Sequence, residues 1–322
     1  MYSIVCGGNI KTGKESKIAK IISHELCCGG LFNGTIPLSL AGVDMTIWMP
    51  NIPNEEKKNY PIKDKGSVLI CSKVMRSGYT DVDAVTRIFK MQGNAVIKIY
   101  TDDLFNVKFQ LTDALGNNWC EVTNDISELC ASIEALYVWT KSSIRKSLAY
   151  SSDIVVFNME EEFIKLNEYL ADKVAEGCGN RFFGNYSTRC TKLFPSKRCE
   201  GFIFSARNTD KKHITKDDLV FCTETNYYGD KKPSVDTPVQ IEIYKGFPTI
   251  NYMIHGHAYI KGASLTDHYF PCGDLREVGE IIKLLKQKRQ LINLKHHGFL
   301  MVGRTLHDMQ VHVDRNEFMS LQ

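Results

Sequence analysis

Residues 252–260 read YMIHGHAYI, and the fold of the second half of the chain is inferred outward from this stretch. An apolar run leads into two histidines, His255 and His257, which one small residue separates. On an extended strand alternate side chains project to the same face, so both imidazoles would point to one side. This is the spacing that a chelating pair of ligands needs.

A third imidazole follows in the apolar segment LINLKHHGFLMVG, residues 291–303, where His296 and His297 precede Gly298. The glycine permits a tight turn beside an ion. Three neutral imidazoles leave a coordination position open, in which a divalent metal can polarise a carbonyl or stabilise an enediolate oxygen. Judged on spacing alone, histidines satisfied in the core or at the surface are the open alternative.

One carboxylate precedes the histidine pair, in the loop KKPSVDTP at residues 231–238. Asp236, placed beside a metal-bound substrate, could move a proton. The alternative is that it serves as a turn or helix-cap residue.

The remaining patterns of the second half predict an α/β domain with a mainly antiparallel sheet over residues 153–322. A helix is predicted from Glu160 to a glycine-rich stop at 177–180, and another near 275–286. Strands are predicted at 201–205, 219–223, 239–244 and 300–303.

Four stretches of this half resemble the class II aldolase/adducin family over residues 160–305. They are GNYSTR at 184–189, then residues 202–220, 232–259 and 294–303. The resemblance implies that the metal ligands are His255, His257 and His297. His297 is preferred to His296 because it directly precedes a glycine, and zinc is the usual metal of the family.

The resemblance carries further residues into the site. Asp236 lies in PSVDTP, which is similar to the aspartate motif of ribulose-5-phosphate 4-epimerases, whereas fuculose-phosphate aldolases have a glutamate there. Asp267 resembles the acidic residue of the epimerases and is a further acid/base candidate. The late tyrosine of the epimerases has no clear counterpart, and Tyr259 and Tyr269 are candidates by proximity only. Candidate substrate-binding residues are Asn185, Ser187, Arg207, Asn208 and Ser234. Arg207 belongs to SARN, which replaces the family's Thr-Gly or Ser-Gly turn, so a structural arginine is its alternative; for Asn185 the alternative is a residue that tolerates a tight turn.

The activity that the resemblance implies is that of a metal-dependent lyase or epimerase. Such an enzyme cleaves or re-forms a C–C bond next to the carbonyl of a small anionic or sugar-phosphate substrate, through an enediolate that the metal stabilises. The family also implies a homo-oligomer, as a tetramer. Two other functions stay open: a non-catalytic adducin-like scaffold, and a nucleotide-dependent ligase centred on the first domain.

The first half alternates strand and helix patterns, which predicts a Rossmann-like three-layer α/β domain over residues 1–152. Strands are predicted at 2–6, 44–48, 67–71, 96–100 and 107–112, and helices at 15–26 and 126–147. Residues 51–66 are predicted as a surface loop. Residues 21–48 also resemble the Rossmann-like domain of phosphopantothenoylcysteine synthetase.

A glycine-rich turn before the first predicted helix is a candidate phosphate or nucleotide site, with Gly8, Gly13 and Lys14 as binding residues. It departs from a phosphate-binding loop in that Glu15 stands where a Ser or Thr would contact magnesium. A ligand-facing loop with Arg76 and the nearby aspartates 81 and 83 is predicted further on. The alternative is a scaffolding domain with polar loops.

Composition narrows the possible partners. The 322 residues fit two domains, and 43% hydrophobic residues suffice for a sizeable core. The 40 basic and 37 acidic residues are spread along the chain, so nucleic acid is not an expected partner. No apolar run is long enough to span a bilayer, and we expect a cytoplasmic protein. The 11 cysteines form no CxxC pair, which predicts reduced thiols.

Overall fold

The computed structural model of the chain forms two compact units, Met1–Ser142 and Ser143–Gln322. It describes residues 2–7, 14–27, 30–34, 42–49, 66–101, 106–153, 155, 157, 159–174, 177–178, 181–190 and 201–320. The predicted surface loop at 51–66 lies outside these residues except for its last residue. Among the described helices, none has the length and apolar character that crossing a membrane requires.

The first unit is a six-stranded sheet in the order β2-β1-β3-β4-β5-β6. Neighbouring strands are parallel except β5 and β6, which are antiparallel. The strands are β1 (Tyr2–Gly7), β2 (Gly30–Gly34), β3 (Met45–Trp48), β4 (Val68–Met75), β5 (Ala95–Thr101) and β6 (Val107–Asp113). The helices are α1 (Lys14–Glu25), α2 (Asp81–Met91) and α3 (Ile126–Ser142).

Helices cover both faces of this sheet. Apolar side chains of α1 and α3 pack with Ile47 and Ile70 in one core cluster. Those of α2 pack with Leu69 and Cys71 in another. Because successive side chains of a strand point to opposite faces, the unit has three layers, helix, sheet and helix. That this three-layer domain is Rossmann-like stays a prediction.

The segment predicted as a ligand-facing loop after β4 is a helix from Asp81 onward, so the loop prediction was wrong for Asp81 and Asp83. A capping box starts this helix: the Thr80 backbone N–H donates to Asp83 Oδ2 at 2.8 Å. That hydrogen bond holds the pKa of Asp83 below its ordinary value. Asp81 forms an ion pair with the buried Lys98 at 2.8 Å. Both carboxylates therefore have partners within the unit.

The second unit is built on a nine-stranded sheet in the order β16-β17-β18-β14-β10-β11-β12-β13-β7. Only the pairs β16/β17 and β13/β7 are parallel, so the predicted mainly antiparallel sheet is confirmed. The sheet strands are β7 (Ala149–Ser151), β10 (Asn185–Cys190), β11 (Gly201–Ser205), β12 (Leu219–Cys222), β13 (Asn226–Tyr228), β14 (Tyr252–Gly256), β16 (Ser264–Leu265), β17 (Leu291–Leu294) and β18 (Gly298–Gly303).

Two small strand pairs complete the unit, β8 (Gly177–Cys178) with β9 (Arg181–Phe182), and β15 (Tyr259–Ile260) with β19 (Phe318–Met319). The helices are α4 (Glu161–Lys173), α5 (Thr237–Gly246), α6 (Glu277–Lys286) and α7 (Leu306–Arg315), with short 3-10 turns at Lys211–His213 and Lys216–Asp218. Helices α4 and α7 pack on one face of the sheet, and α5 and α6 on the other.

One sequence-based element was wrong, and a second was right in type but too long. The predicted strand at 239–244 is part of α5, which has a proline in its first turn. Its alternating pattern VQIEIY misleads because the polar Gln240 is buried along with its apolar neighbours, not exposed on a solvent face. The helix predicted to reach residue 147 ends at Ser142.

Candidate metal centre

Three imidazoles converge at the end of β14. His255 lies on this strand, His257 follows it, and His297 directly precedes β18. One ring nitrogen from each histidine lies within 4.8 Å of the other two. The ring centroids are 4.8 to 5.5 Å apart.

Strand pairing brings the distant histidine to the pair. β14 and β18 are antiparallel neighbours, with Gly256 opposite Phe299 in the register. Gly298 has a positive φ of 149°, and a Cβ there would collide with the carbonyl of Gly256. Only glycine allows this close approach, which places His297 against the end of β14. The adjacent His296 is exposed instead.

Hydrogen bonds fix the orientation of two of the rings. His255 Nδ1 lies 2.9 Å from the carbonyl oxygen of Phe299, and His297 Nδ1 lies 3.0 Å from Glu277 Oε1. Each Nδ1 therefore carries a proton that it donates, and in the neutral ring this leaves the Nε2 lone pair for a ligand. Both Nε2 atoms are buried without a hydrogen-bond partner in the described part of the chain.

Burial and neighbouring side chains together set the pKa values of the three histidines. Burial lowers the pKa of His255 to about 4, and it lowers the pKa of His257 well below its ordinary value. The His257 ring stacks on Phe183, with centroids 4.9 Å apart. Burial also acts to lower the pKa of His297, but Cys272 and Glu277 outweigh it, so this pKa lies well above the ordinary value. At least two of the rings are neutral at pH 7, the form that binds a metal.

Asp236 lies beside the histidines. Its Oδ2 atom is 3.9 Å from His255 Nε2 and accepts a hydrogen bond from the Ser234 hydroxyl at 3.3 Å. It occupies the N-cap position of α5, yet its side chain makes no capping hydrogen bond. The Oδ1 atom is buried and has no partner among the described residues. The helix-cap alternative therefore does not account for this side chain.

The donor set fits a divalent cation. In a tetrahedral zinc site with bonds of about 2.0 to 2.1 Å, ligand nitrogens lie roughly 3.4 Å apart. The histidine nitrogens lie within 4.8 Å of one another, and a bound cation would draw them toward that spacing. Buried nitrogen atoms that lack a partner are what a metal would satisfy.

One protein-family model matches part of the second unit. Residues 161–266 match the family model described as Class II Aldolase and Adducin N-terminal domain. This matched segment lies within the second unit. The resemblance drawn from the sequence is thereby confirmed, although the matched segment ends before His297. No curated protein matches the sequence.

Solved structures of class II aldolases are similar at a low level. An L-fuculose 1-phosphate aldolase has 19% identity and a TM-score of 0.38, over 48% of this chain and 79% of its own. YgbL from Escherichia coli, a putative aldolase/epimerase/decarboxylase, has 16% identity and a TM-score of 0.38, over 48% and 82%. The N-terminal class II aldolase domain of a Thermoplasma acidophilum protein has 14% identity and a TM-score of 0.37, over 52% and 95%. Likenesses at this level do not bear on activity.

Polar residues of the second unit connect β10 to α5 near the histidines. Gln240 Nε2 donates to Asn185 Oδ1 at 2.6 Å, and the Ser187 hydroxyl donates to Gln240 Oε1 at 2.8 Å. Ser187 also lies 2.9 Å from the Tyr244 hydroxyl and is fully buried. Asn185 pairs with His255 in the strand register, and its Nδ2 atom has no partner in the described residues.

A basic cavity of about 360 Å³ opens next to Asp236. Arg207 and Ser234 line it, together with Arg145, Lys146 and Lys232. Asn208, the neighbour of Arg207, instead accepts a hydrogen bond from the Phe182 backbone N–H at 2.9 Å and has a φ of 59°.

Two predicted acid/base candidates lie outside the histidine cluster. Asp267 is exposed, and an ion pair with Lys283 at 3.0 Å lowers its pKa. The Tyr259 hydroxyl accepts a hydrogen bond from the His296 backbone N–H at 2.7 Å. Of the residues predicted for the first unit, Gly8 and Gly13 lie outside the described residues, and only the backbone of Lys14 is described.

Sequence reasoning missed Glu277 and Cys272. Glu277 is buried at the start of α6 and holds His297; Cys272 lies beside both His297 and Asp236. Both occur in PCGDLREVGE, where the available signal is a cysteine just ahead of the helix predicted near 275–286 and a glutamate in its first turn.

Proposed function

We propose that the chain is a metal-dependent lyase or epimerase of the class II aldolase type, acting on a small hydroxy-carbonyl compound that carries an anionic group. The observation that supports this most is the pair of buried Nε2 atoms on His255 and His297, which have no hydrogen-bond partner among the described residues although their ring centroids lie 4.8 Å apart. A scaffold domain would have no reason to keep them buried.

Each part of the site has a role in this proposal. His255, His257 and His297 hold the cation, and Glu277 and the Phe299 carbonyl keep two of the rings in the binding tautomer. When bound, a divalent cation would stabilise the negative charge that develops on substrate oxygens as a C–C bond beside a carbonyl breaks. Asp236 accepts the hydroxyl proton of the substrate in cleavage and returns it in the reverse direction.

The basic cavity supports an anionic substrate. Its cationic side chains Arg145, Arg207 and Lys232 are all exposed to an incoming ligand. Ser234 lines the cavity and also hydrogen bonds to Asp236. A substrate whose phosphate or carboxylate group is held in the cavity would therefore place its carbonyl end near Asp236 and the histidines.

Metal analysis with two neighbouring variants tests the proposal. Purified protein is expected to carry stoichiometric zinc, and His297→Asn to lose it. His296→Asn is the matched control, because asparagine tolerates the φ of 53° at this exposed position, and it is expected to keep the metal. Turnover of ketose phosphates should follow the metal content. Protein that binds no divalent metal would overturn the proposal and favour the adducin-like alternative.

A further inference from the structure

A second donor set shares His297 with the three histidines. An Asp236 oxygen, the Cys272 sulfur and a ring nitrogen of His297 lie within 4.8 Å of one another. His297 and Asp236 are 0% and 8% exposed, and each has one buried side-chain atom, Nε2 and Oδ1 respectively, without a hydrogen-bond partner among the described residues. Cys272 is half-buried, and it is a free thiol.

The local fold holds the thiol in this place. Cys272 sits in a turn in which the Asp274 backbone N–H donates to the Pro271 carbonyl at 3.0 Å. The next residue, Gly273, has a φ of 77°, and a Cβ there would lie 2.5 Å from the Val235 carbonyl oxygen. A larger residue would push the turn away from the loop that carries Asp236. The glycine thus keeps Cys272 against the carboxylate and the histidine.

We propose that Cys272 is a further ligand of the cation, so that the centre binds through sulfur as well as imidazole nitrogen. This inference rests on the proposed metal centre and adds the chemical class of its metal. Thiolates prefer zinc or cobalt over the oxygen-seeking magnesium and manganese. As the sulfur–metal bond forms, the thiol proton leaves to solvent and no oxidation state changes.

Cobalt(II) spectroscopy of the full-length protein tests the inference without an activity assay. Cobalt chloride added to metal-free protein should give visible d–d bands from a bound ion, and a sulfur-to-cobalt charge-transfer band in the near ultraviolet. The charge-transfer band should be lost in Cys272→Ser while the d–d bands remain. Cys120→Ser is the matched control, since Cys120 is a half-buried free thiol of the first unit, and it should keep both features.

Each other outcome is decisive. Visible bands without a charge-transfer band in the unsubstituted protein would overturn thiolate binding and leave the histidine centre standing. A charge-transfer band that persists in Cys272→Ser would assign the sulfur to another cysteine and overturn the inference. No stoichiometric cobalt binding would overturn both this inference and the proposed metal centre. The measurement on unsubstituted protein does not depend on how the serine variant folds.

Discussion

The two units treat buried polar groups in opposite ways. In the first, Lys98 is only 1% exposed, yet its Nζ atom lies 2.8 Å from Asp81 Oδ1 and 3.3 Å from Asn118 Oδ1. In the second, the Nε2 atoms of His255 and His297, and Asp236 Oδ1, are buried and lack a hydrogen-bond partner in the described part of the chain. Buried polar groups are satisfied in stable folds, so orphaned atoms that cluster mark where a ligand belongs. The buried charge of the first unit is satisfied within the fold, whereas these three atoms of the second unit are the ones that the proposed metal centre would use.

Removing the carboxylate should have the largest effect. Asp236→Asn keeps the size of the side chain but cannot accept a proton, so kcat should fall about 100- to 10,000-fold while zinc stays bound. Steady-state kinetics on the ketose phosphate that the unsubstituted protein turns over would measure this. Asp230→Asn, in the exposed part of the same loop, is the control and should leave kcat unchanged. An Asp236→Asn variant with full kcat would show that the orphaned oxygen has no part in proton transfer.

The second largest effect is expected from a side chain added where β14 and β18 approach most closely. Gly298→Ala forces a Cβ into the Gly256 carbonyl at a positive φ, so the free energy of unfolding of the second unit should fall by about 3 kcal/mol, with loss of zinc. Gly262→Ala also has a positive φ, 76°, but has open space around it, and should cost only about 1 kcal/mol. Thermal denaturation followed by near-ultraviolet circular dichroism compares the two. Equal losses would mean that the close approach at Gly298 does not shape the site.

Weakening the support of His297 should have an intermediate effect. Glu277→Gln exchanges the buried carboxylate for a neutral acceptor, so zinc should bind about 10- to 100-fold more weakly. Competition with a chromophoric chelator measures this affinity. Glu280→Gln, on the same helix but hydrogen bonded to His268, should leave it unchanged. If both variants bound zinc as tightly as the unsubstituted protein, the orienting role of Glu277 would be rejected.

The smallest effect is expected in the first unit. Lys98→Met fills the same space with an apolar chain, and Asp81, whose side chain is 48% exposed, stays solvated. Asn118 Oδ1 still accepts from the Thr112 hydroxyl. The free energy of unfolding should therefore change by less than about 1 kcal/mol, with zinc content unaffected. A large loss of stability in chemical denaturation would show that the ion pair contributes more than its partial exposure allows.

Local patterns revealed those parts of the site that depend on local sequence. The spacing of His255 and His257 on a strand, and the glycine after His297, were visible because alternation and turn chemistry act over a few residues. The helix α5 was mistaken for a strand because its alternating polar and apolar residues suggested that Gln240 faces solvent. Gln240 is instead buried, and it hydrogen bonds to the distant Asn185 and Ser187. Tertiary contact, not local pattern, sets its environment.

The residues that were missed depend on contacts between distant segments. Glu277 reaches His297 across 20 positions of the sequence, and Cys272 reaches Asp236 through the turn at Gly273. Neither position has a motif of its own in the sequence. The family match also stops at residue 266, so it does not extend to this segment. Only the packing of the 271–277 segment against the histidine strands identifies them.

The most direct test of the central claim is a crystal structure of the zinc-loaded protein with anomalous scattering recorded at the zinc edge. One ion should lie about 2.0 to 2.3 Å from His255 Nε2, His297 Nε2 and a nitrogen of His257. An anomalous peak elsewhere, or three imidazoles that stay metal-free in a crystal soaked with zinc, would contradict the claim that these buried nitrogens form a metal centre.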